Sequence, residues 1–187
     1  MSYELAGNWN GGLAFDRHIR VSVYLGVDEQ GYKQFNTTRS EMGELVYQLK
    51  YCGDQSAIPK IIELLKDLDG IESFDAIIPV PSSQSRPLQP VDAISVALGA
   101  QRNVPALVGH LTKVGNAQLK NITDPVERAN ALANITVSGK TNISGKEVLL
   151  LDDLYDSGAT LSACCRVLKE KSDVKNIWVL TMTKTKG

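Results

Sequence analysis

The chain is poor in the residues that build metal centres and covalent frameworks, with three cysteines and two histidines among 187 residues. Cys52 is isolated and Cys164 and Cys165 are neighbours, so neither a disulfide framework nor a C-x-x-C metal pattern exists. Each is expected to be a buried small side chain. His18 and His110 argue against a histidine metal site or a histidine-based triad, and each is expected at the surface or in a hydrogen bond. No apolar run approaches the roughly 18 residues of a membrane helix, and the first residues lack a charged-then-apolar export signal. The expected setting is the cytoplasm, with no membrane partner. Twenty basic and 21 acidic residues leave a net charge of −1, without the basic excess that marks an extended nucleic-acid footprint. Local basic patches leave that partner open, and a homodimer is left open too. Repeats and low-complexity segments are absent.

The most informative segment is Glu147 to Thr160, Glu-Val-Leu-Leu-Leu-Asp-Asp-Leu-Tyr-Asp-Ser-Gly-Ala-Thr. Val148 to Leu151 form a short continuous apolar run, the pattern of a parallel strand covered on both faces. Ligands bind at the carboxyl ends of such strands, near the positive ends of the following helices. Asp152 and Asp153 bring two acceptor-only side chains, expected side by side and suited to vicinal hydroxyls or a hydrated cation. Leu161, Cys164, Cys165 and Leu168 then recur at helical spacing, so a helix starts just before them. Its first-turn N–H groups, the close approach allowed by Gly158 and the hydroxyls of Ser157 and Thr160 suit a phosphate. An exposed helix N-terminus stabilises an anion by only about 0.3–1 kcal/mol, so converging N–H and hydroxyl bonds must do most of the holding. The bland alternative makes Ser157 an ordinary helix cap and the acidic pair a solvated loop end.

Two other phosphate folds fail on the chain itself. A P-loop needs G-x-x-x-x-G-K-[ST], and the Gly139-Lys140-Thr141 triplet has Asn134 where the first glycine belongs. A phospho-accepting receiver carries its acidic pair near the start of a doubly wound domain, whereas only 34 residues follow Asp153.

The segment resembles the 5-phosphoribosyl-1-pyrophosphate (PRPP) loop of type I phosphoribosyltransferases. That resemblance implies that Asp152 and Asp153 take the ribose hydroxyls, and that Asp156, Ser157, Gly158, Ala159 and Thr160 take the 5-phosphate. From Tyr47 to Lys186 the chain is most similar to the phosphoribosyltransferase domain of the competence-protein ComF family. The shared features are Leu49 to Asp54, Pro79 to Pro81 with Arg86, Lys113, Gln118, and Glu127 to Asn130. It departs from that family at Leu88 to Asp92, at Asp156, and in having no N-terminal zinc-binding cysteines.

The resemblance implies a type I phosphoribosyltransferase fold: one α/β domain over residues 1–187, a mainly parallel twisted sheet flanked by helices. Residues 1–54 would supply a hood, a hairpin and edge elements, and 55–187 the core. The residues themselves read as a strand over Ile19 to Leu25 returning at Tyr32 to Phe35, and helices over Ser40 to Tyr51 and Ile58 to Leu68. A strand follows at Ala76 to Val80, a helix at Val91 to Leu98, a strand at Ala106 to Val108 and a helix at Asp124 to Ala133. Strands at Val148 to Leu151 and Ile177 to Met182 complete the set.

The implied chemistry is displacement of pyrophosphate from PRPP by a nucleobase or other small amine. Mg²⁺ would arrive with PRPP, weakly touched by Asp152 or Asp153. Ser82, Ser83 and Arg86 form a hydroxyl-and-guanidinium loop suited to pyrophosphate, or else a plain surface turn. Lys113 to Lys120 reads as a closing loop or a solvated one, and Arg128 as a site residue or a local ion pair. Asp156 is either a general base or a helix cap. Trp9, Phe15, Tyr24, Tyr32 and Phe35 offer stacking surfaces for a base, or core. The tail Lys184-Thr185-Lys186 either folds back or frays. Two functions stand: a phosphoribosyltransferase, or a non-catalytic PRPP- or nucleotide-binding accessory protein.

Overall fold

The computed structural model describes residues 2–113 and 134–185. The expected helix at Asp124 to Ala133, with Gly115, Asn116, Gln118, Lys120, Glu127, Arg128 and Lys186, lies outside the described residues.

A five-stranded sheet organises the chain, in the order β1 (Tyr3–Glu4), β2 (Gly11–Arg17), β9 (Asn176–Lys184), β8 (Glu147–Tyr155), β5 (Ala76–Pro79). Every pairing is parallel except the short β1 edge. The expected parallel sheet flanked by helices is what forms. β8 lies between two parallel neighbours, and its pleat explains its continuous apolar run. Val148 and Leu150 enter one core layer with Leu161, Cys164, Cys165 and Leu168 of helix α4 (Ala159–Ser172). Leu149 and Leu151 enter the other, with α1 (Glu41–Tyr47), α2 (Ala57–Leu64) and α3 (Pro90–Arg102). Each fully buried side chain of this size contributes roughly 1.5–3 kcal/mol.

The first 54 residues divide. β1 and β2 extend the main sheet, α1 joins the core, and only a hairpin of β3 (Ile19–Val27) and β4 (Lys33–Arg39) forms a sheet of its own. Ser40 caps α1, its hydroxyl accepting from the Gly43 N–H at 2.9 Å. The helix expected through Tyr51 changes at Gln48 into one π-helical turn, Gln48–Cys52, closed by Gly53 at φ +68°. That wider turn brings Lys50 and Tyr51 to the carboxyl end of the sheet. The strand expected at Ala106 to Val108 shrinks to one bridge, Ile77 to Ala106. A ribbon the sequence reading did not anticipate pairs β6 (Leu111–Lys113) with β7 (Ile135–Val137).

Three single-residue expectations are corrected or divided. Cys164 and Cys165 are buried, and burial pushes the Cys165 thiol up to about 12, but Cys52 is exposed. His18 does bond, through Nδ1 to the Thr183 hydroxyl at 3.2 Å. The His110 side chain is neither at the surface nor hydrogen-bonded among the described residues. It is 2 % exposed with both ring nitrogens unpartnered, packed so closely on Gly139 that a side chain there would meet its ring, and burial lowers its pKa. Trp9 belongs to the core and Phe15 packs against it, whereas Tyr24, Tyr32 and Phe35 are exposed on the hairpin and its turn.

Leu150 is fully buried at the centre of the sheet. Leu150→Ala should therefore lower stability by about 3 kcal/mol, measured as a shift in the urea midpoint at unchanged m-value.

Candidate active site

The sequence reading ends the strand before the acidic pair; the structure continues it. Asp152 pairs with Thr181, Leu154 with Thr183 and Tyr155 with Lys184 along β9. Adjacent strand residues face opposite sides, so Asp152 and Asp153 are not side by side as expected. Asp152 lies on the α4 side, and its carboxylate acts on the Cys164 thiol across that layer. Asp153 lies on the α1 side, 6 % exposed, and accepts from the Lys50 ammonium at 2.5 Å.

The extended strand explains the electrostatics. Two carboxyl groups sit at the end of an apolar strand with one cation, and that cation is taken by Asp153. Burial pushes the Asp152 carboxyl up to about 8, the Asp153 carboxylate adds to the rise, and Lys50 partly opposes it. The Asp153 N–H donates to Asp152 Oδ1 at 2.8 Å, which favours the ionised form but does not win.

Beyond β8 the chain turns through Asp156 and Ser157 into α4. The N-cap is Gly158, at φ +73°, and no side chain caps the helix. Neither the Ser157 cap nor the Asp156 cap considered from sequence is the one formed. A Cβ at position 158 would meet the Tyr155 ring at 2.9 Å in a conformation that L side chains rarely adopt. The first helical bond runs from the Ser162 N–H to the Gly158 carbonyl at 2.9 Å, so the N–H groups before it face the cleft end of the helix. Asp156 is exposed and accepts at Oδ1 from the Thr185 hydroxyl at 2.9 Å, while the Thr185 N–H donates to the Tyr155 carbonyl. Through Thr185, the tail folds back onto the loop.

A second loop leaves β5 alongside. The Val80 N–H donates to the Leu151 carbonyl at 2.9 Å, tying the two strand ends together. The Ser82 hydroxyl bonds the Gln84 backbone, and Arg86 donates to Gln84 Oε1 at 2.6 Å, which holds the guanidinium 5.9 Å from the Tyr51 ring centre. Lys113, at the end of β6, completes the enclosure, its pKa lowered by burial.

These segments line one cleft of about 290 Å³. Of the site residues expected from sequence it gathers Ser82, Ser83, Arg86, Lys113, Asp152, Asp153, Asp156, Ser157, Gly158, Ala159 and Thr160, while Lys120 and Arg128 lie outside the described residues. The aromatics expected as stacking surfaces are not among its walls; Tyr51 and Tyr155 are. The sequence reading also missed Lys50, Gln89 and Asp92. Lys50 lay in a quoted motif, Leu49 to Asp54, and only the π-helical turn brings it to Asp153. Gln89 and Asp92 sit in the stretch that departs from the family pattern, at the start of α3. The Gln89 side-chain oxygen is buried without a partner, and burial raises the Asp92 carboxyl. The N-termini of α3 and α4 thus converge on one space walled by three cations, Lys50, Arg86 and Lys113. Among the described residues, no cluster of three or more His, Cys, Asp or Glu could hold a metal by itself.

No family model matches the sequence, and a search of curated proteins gives no match either. Among solved structures, the chain is similar to an orotate phosphoribosyltransferase from Aeropyrum pernix, with 14% identity and a TM-score of 0.49 over 87% of this chain and 76% of that one. It is similar to an adenine phosphoribosyltransferase from Thermoanaerobacter pseudethanolicus, with 18% identity and a TM-score of 0.47 over 80% and 88%. A purine phosphoribosyltransferase from Pyrococcus horikoshii gives 19% identity and a TM-score of 0.41 over 70% and 81%.

The raised Asp152 pKa has a thermodynamic consequence. The native state holds this proton more tightly than the unfolded chain, whose value is 3.8. Stability from this group is therefore fully present below about pH 4 and is lost as pH rises toward 8. Asp152→Asn should melt at a higher temperature than wild type at neutral pH, with the gain shrinking towards pH 4. An unchanged or lower melting temperature at neutral pH would contradict the buried, charge-crowded carboxyl.

Proposed function

We propose that the chain is a type I phosphoribosyltransferase related to the ComF family, binding PRPP and releasing pyrophosphate as the 5-phosphoribosyl group passes to a nucleobase or other small amine. The observation that carries this reading is the convergence of three chemically different subsites in one cleft. The α4 N-terminus, with Gly158, Ala159 and the hydroxyls of Ser157 and Thr160, suits a phosphate monoester. The carboxyl groups at the end of β8 suit ribose hydroxyls. Ser82, Ser83 and Arg86, with Lys113 nearby, suit a departing diphosphate.

The reaction asks the protein to stabilise a leaving polyanion while positive charge develops on the ribose ring. Arg86 and Lys113 meet the anion from the β5 and β6 sides, and the Asp152 and Asp153 carboxyl groups face the developing charge. Lys50 holds Asp153 in place through their ion pair. The Thr185 hydroxyl fixes Asp156 Oδ1, orienting the carboxylate to take a proton from the incoming acceptor nitrogen.

The donor set fits Mg²⁺ carried in with PRPP. Ionised Asp152 has no cation of its own, since Lys50 is committed to Asp153, so Asp152 is the residue that would hold the ion. When bound, Mg²⁺ supplies charge neutralisation for the pyrophosphate leaving group.

Calorimetric titration of PRPP in the presence of Mg²⁺ tests the binding half. Asp153→Ala and Gly158→Val should each abolish binding, the first by leaving Lys50 uncompensated and the second by forcing a branched side chain into the Tyr155 ring. Unchanged affinity in both variants would remove the site assignment. Pyrophosphate release over a panel of nucleobases and amines tests the catalytic half. Asp156→Asn should lower kcat by about 10²–10⁴-fold, the usual contribution of a general base. A silent panel with intact PRPP binding would assign the chain to the non-catalytic accessory class.

A further inference from the structure

The loop that leaves β5 is closed on itself through Gln84, a residue to which the cleft chemistry gives no role. The Gln84 N–H donates to the Ser82 hydroxyl at 3.1 Å, and that hydroxyl donates to the Gln84 carbonyl at 2.7 Å. The Gln89 side-chain amide donates to the same carbonyl at 2.8 Å. The Gln84 side-chain oxygen accepts from Arg86 Nη2 at 2.6 Å. Ser82 and Arg86, two of the groups suited to a departing diphosphate, are therefore both engaged by Gln84.

A carboxamide oxygen is a neutral counterpart of a phosphate oxygen, able to accept from the same guanidinium. Here it engages one terminal nitrogen of the fork that grips phosphate bidentately, so amide and diphosphate compete for one donor set. The diphosphate wins because both partners are then charged, and its net hold is reduced by the bond it displaces. Gln84 is exposed, so its side chain can rotate into water without repacking. A second feature marks the closed loop as a conformation with bonds left unmade. Gln89 is the N-cap of α3, yet its side chain makes no cap bond and reaches instead to Gln84. Its own Oε1 is buried without a partner among the described residues, a costly place for a polar oxygen. Loosening the loop returns that oxygen to water, which offsets part of what the displaced bonds contribute.

We propose that Gln84 is a positioning residue for pyrophosphate, acting through Arg86. Its side-chain oxygen holds the guanidinium until the diphosphate of the donor replaces it, and takes it back as pyrophosphate departs. The consequence is a weakened hold on the product, whose release limits turnover in many enzymes. The inference rests on the phosphoribosyltransferase reading.

Gln84→Ala removes only the bond to Arg86, because the bonds to Ser82 and Gln89 use the backbone of residue 84. Calorimetric titration with pyrophosphate and Mg²⁺ should give this variant a Kd about 3–10-fold below that of wild type, the effect of freeing one charge-assisted bond that water partly replaces. Ribose 5-phosphate, bound at the other end of the cleft, should bind wild type and variant equally. Gln84→Met, similar in length but without the amide, should tighten pyrophosphate as alanine does, whereas a packing role would be preserved by methionine. In an Arg86→Ala background, Gln84→Ala should change pyrophosphate affinity by no more than about twofold, since the contested donor is gone. Weaker or unchanged pyrophosphate binding in Gln84→Ala, with ribose 5-phosphate still bound, would overturn the role of Gln84 and leave the PRPP site standing. A gain that persists in the Arg86→Ala background would overturn it too. Failure of wild type and variant alike to bind either ligand would remove the PRPP reading and this inference with it.

Discussion

The structure turns on where the Lys50 ammonium lies. It comes from the π-helical turn after α1, crosses to the end of β8 and meets Asp153 at 2.5 Å. Both side chains are largely withdrawn from water, at 18 % and 9 % exposure, so the pair is screened far less than a surface pair. Removing one member would leave a buried charge uncompensated, at a cost of about 3–5 kcal/mol. Because Lys50 serves Asp153, ionising Asp152 next to it would leave a charge without a cation of its own, and burial with that neighbour pushes its carboxyl up to about 8. The cleft floor is built with surplus acidity that a sugar diol or an arriving cation can relieve, a common origin of perturbed groups at functional sites.

The rest of the cleft follows from continuing β8 past its apolar run. The strand keeps its register with β9 through Tyr155, which carries the phosphate turn clear of the sheet and brings Asp156 within reach of the Thr185 hydroxyl. Tyr155 then closes against Gly158, the one position where the turn into α4 needs a left-handed backbone and no side chain. Strain and crowding at such a turn are tolerated where the surrounding structure fixes them, and here β8, β9 and α4 all do.

Much of this was legible in the sequence because it is local. The apolar run of β8, the Ser-Gly-Ala-Thr turn and the stripe of α4 are contiguous signals with a period, and Ser82 to Arg86 reads as a polar loop leaving a buried strand. What was not legible depends on tertiary pairing. That the acidic pair belongs to the strand follows from β9 continuing beside it, with Thr181 and Thr183 at positions no apolar pattern marks. Lys50 sits in a helical stripe whose last turn widens, and periodicity does not report that. Trp9 and Tyr24 are equivalent as aromatics in the sequence, yet one is core and the other exposed, because Trp9 lies in the turn joining β1 and β2 of the main sheet and β3 is outside that sheet.

The most direct test of the central claim maps the two halves of the donor separately onto the 20.3 kDa chain by backbone amide chemical shifts. Ribose 5-phosphate alone should move the amides of Gly158, Ala159 and Thr160, while pyrophosphate alone should move those of Ser82 to Arg86. Shifts from both ligands confined to the same loop, or to neither, would contradict a cleft built to hold PRPP across its phosphate, ribose and pyrophosphate subsites.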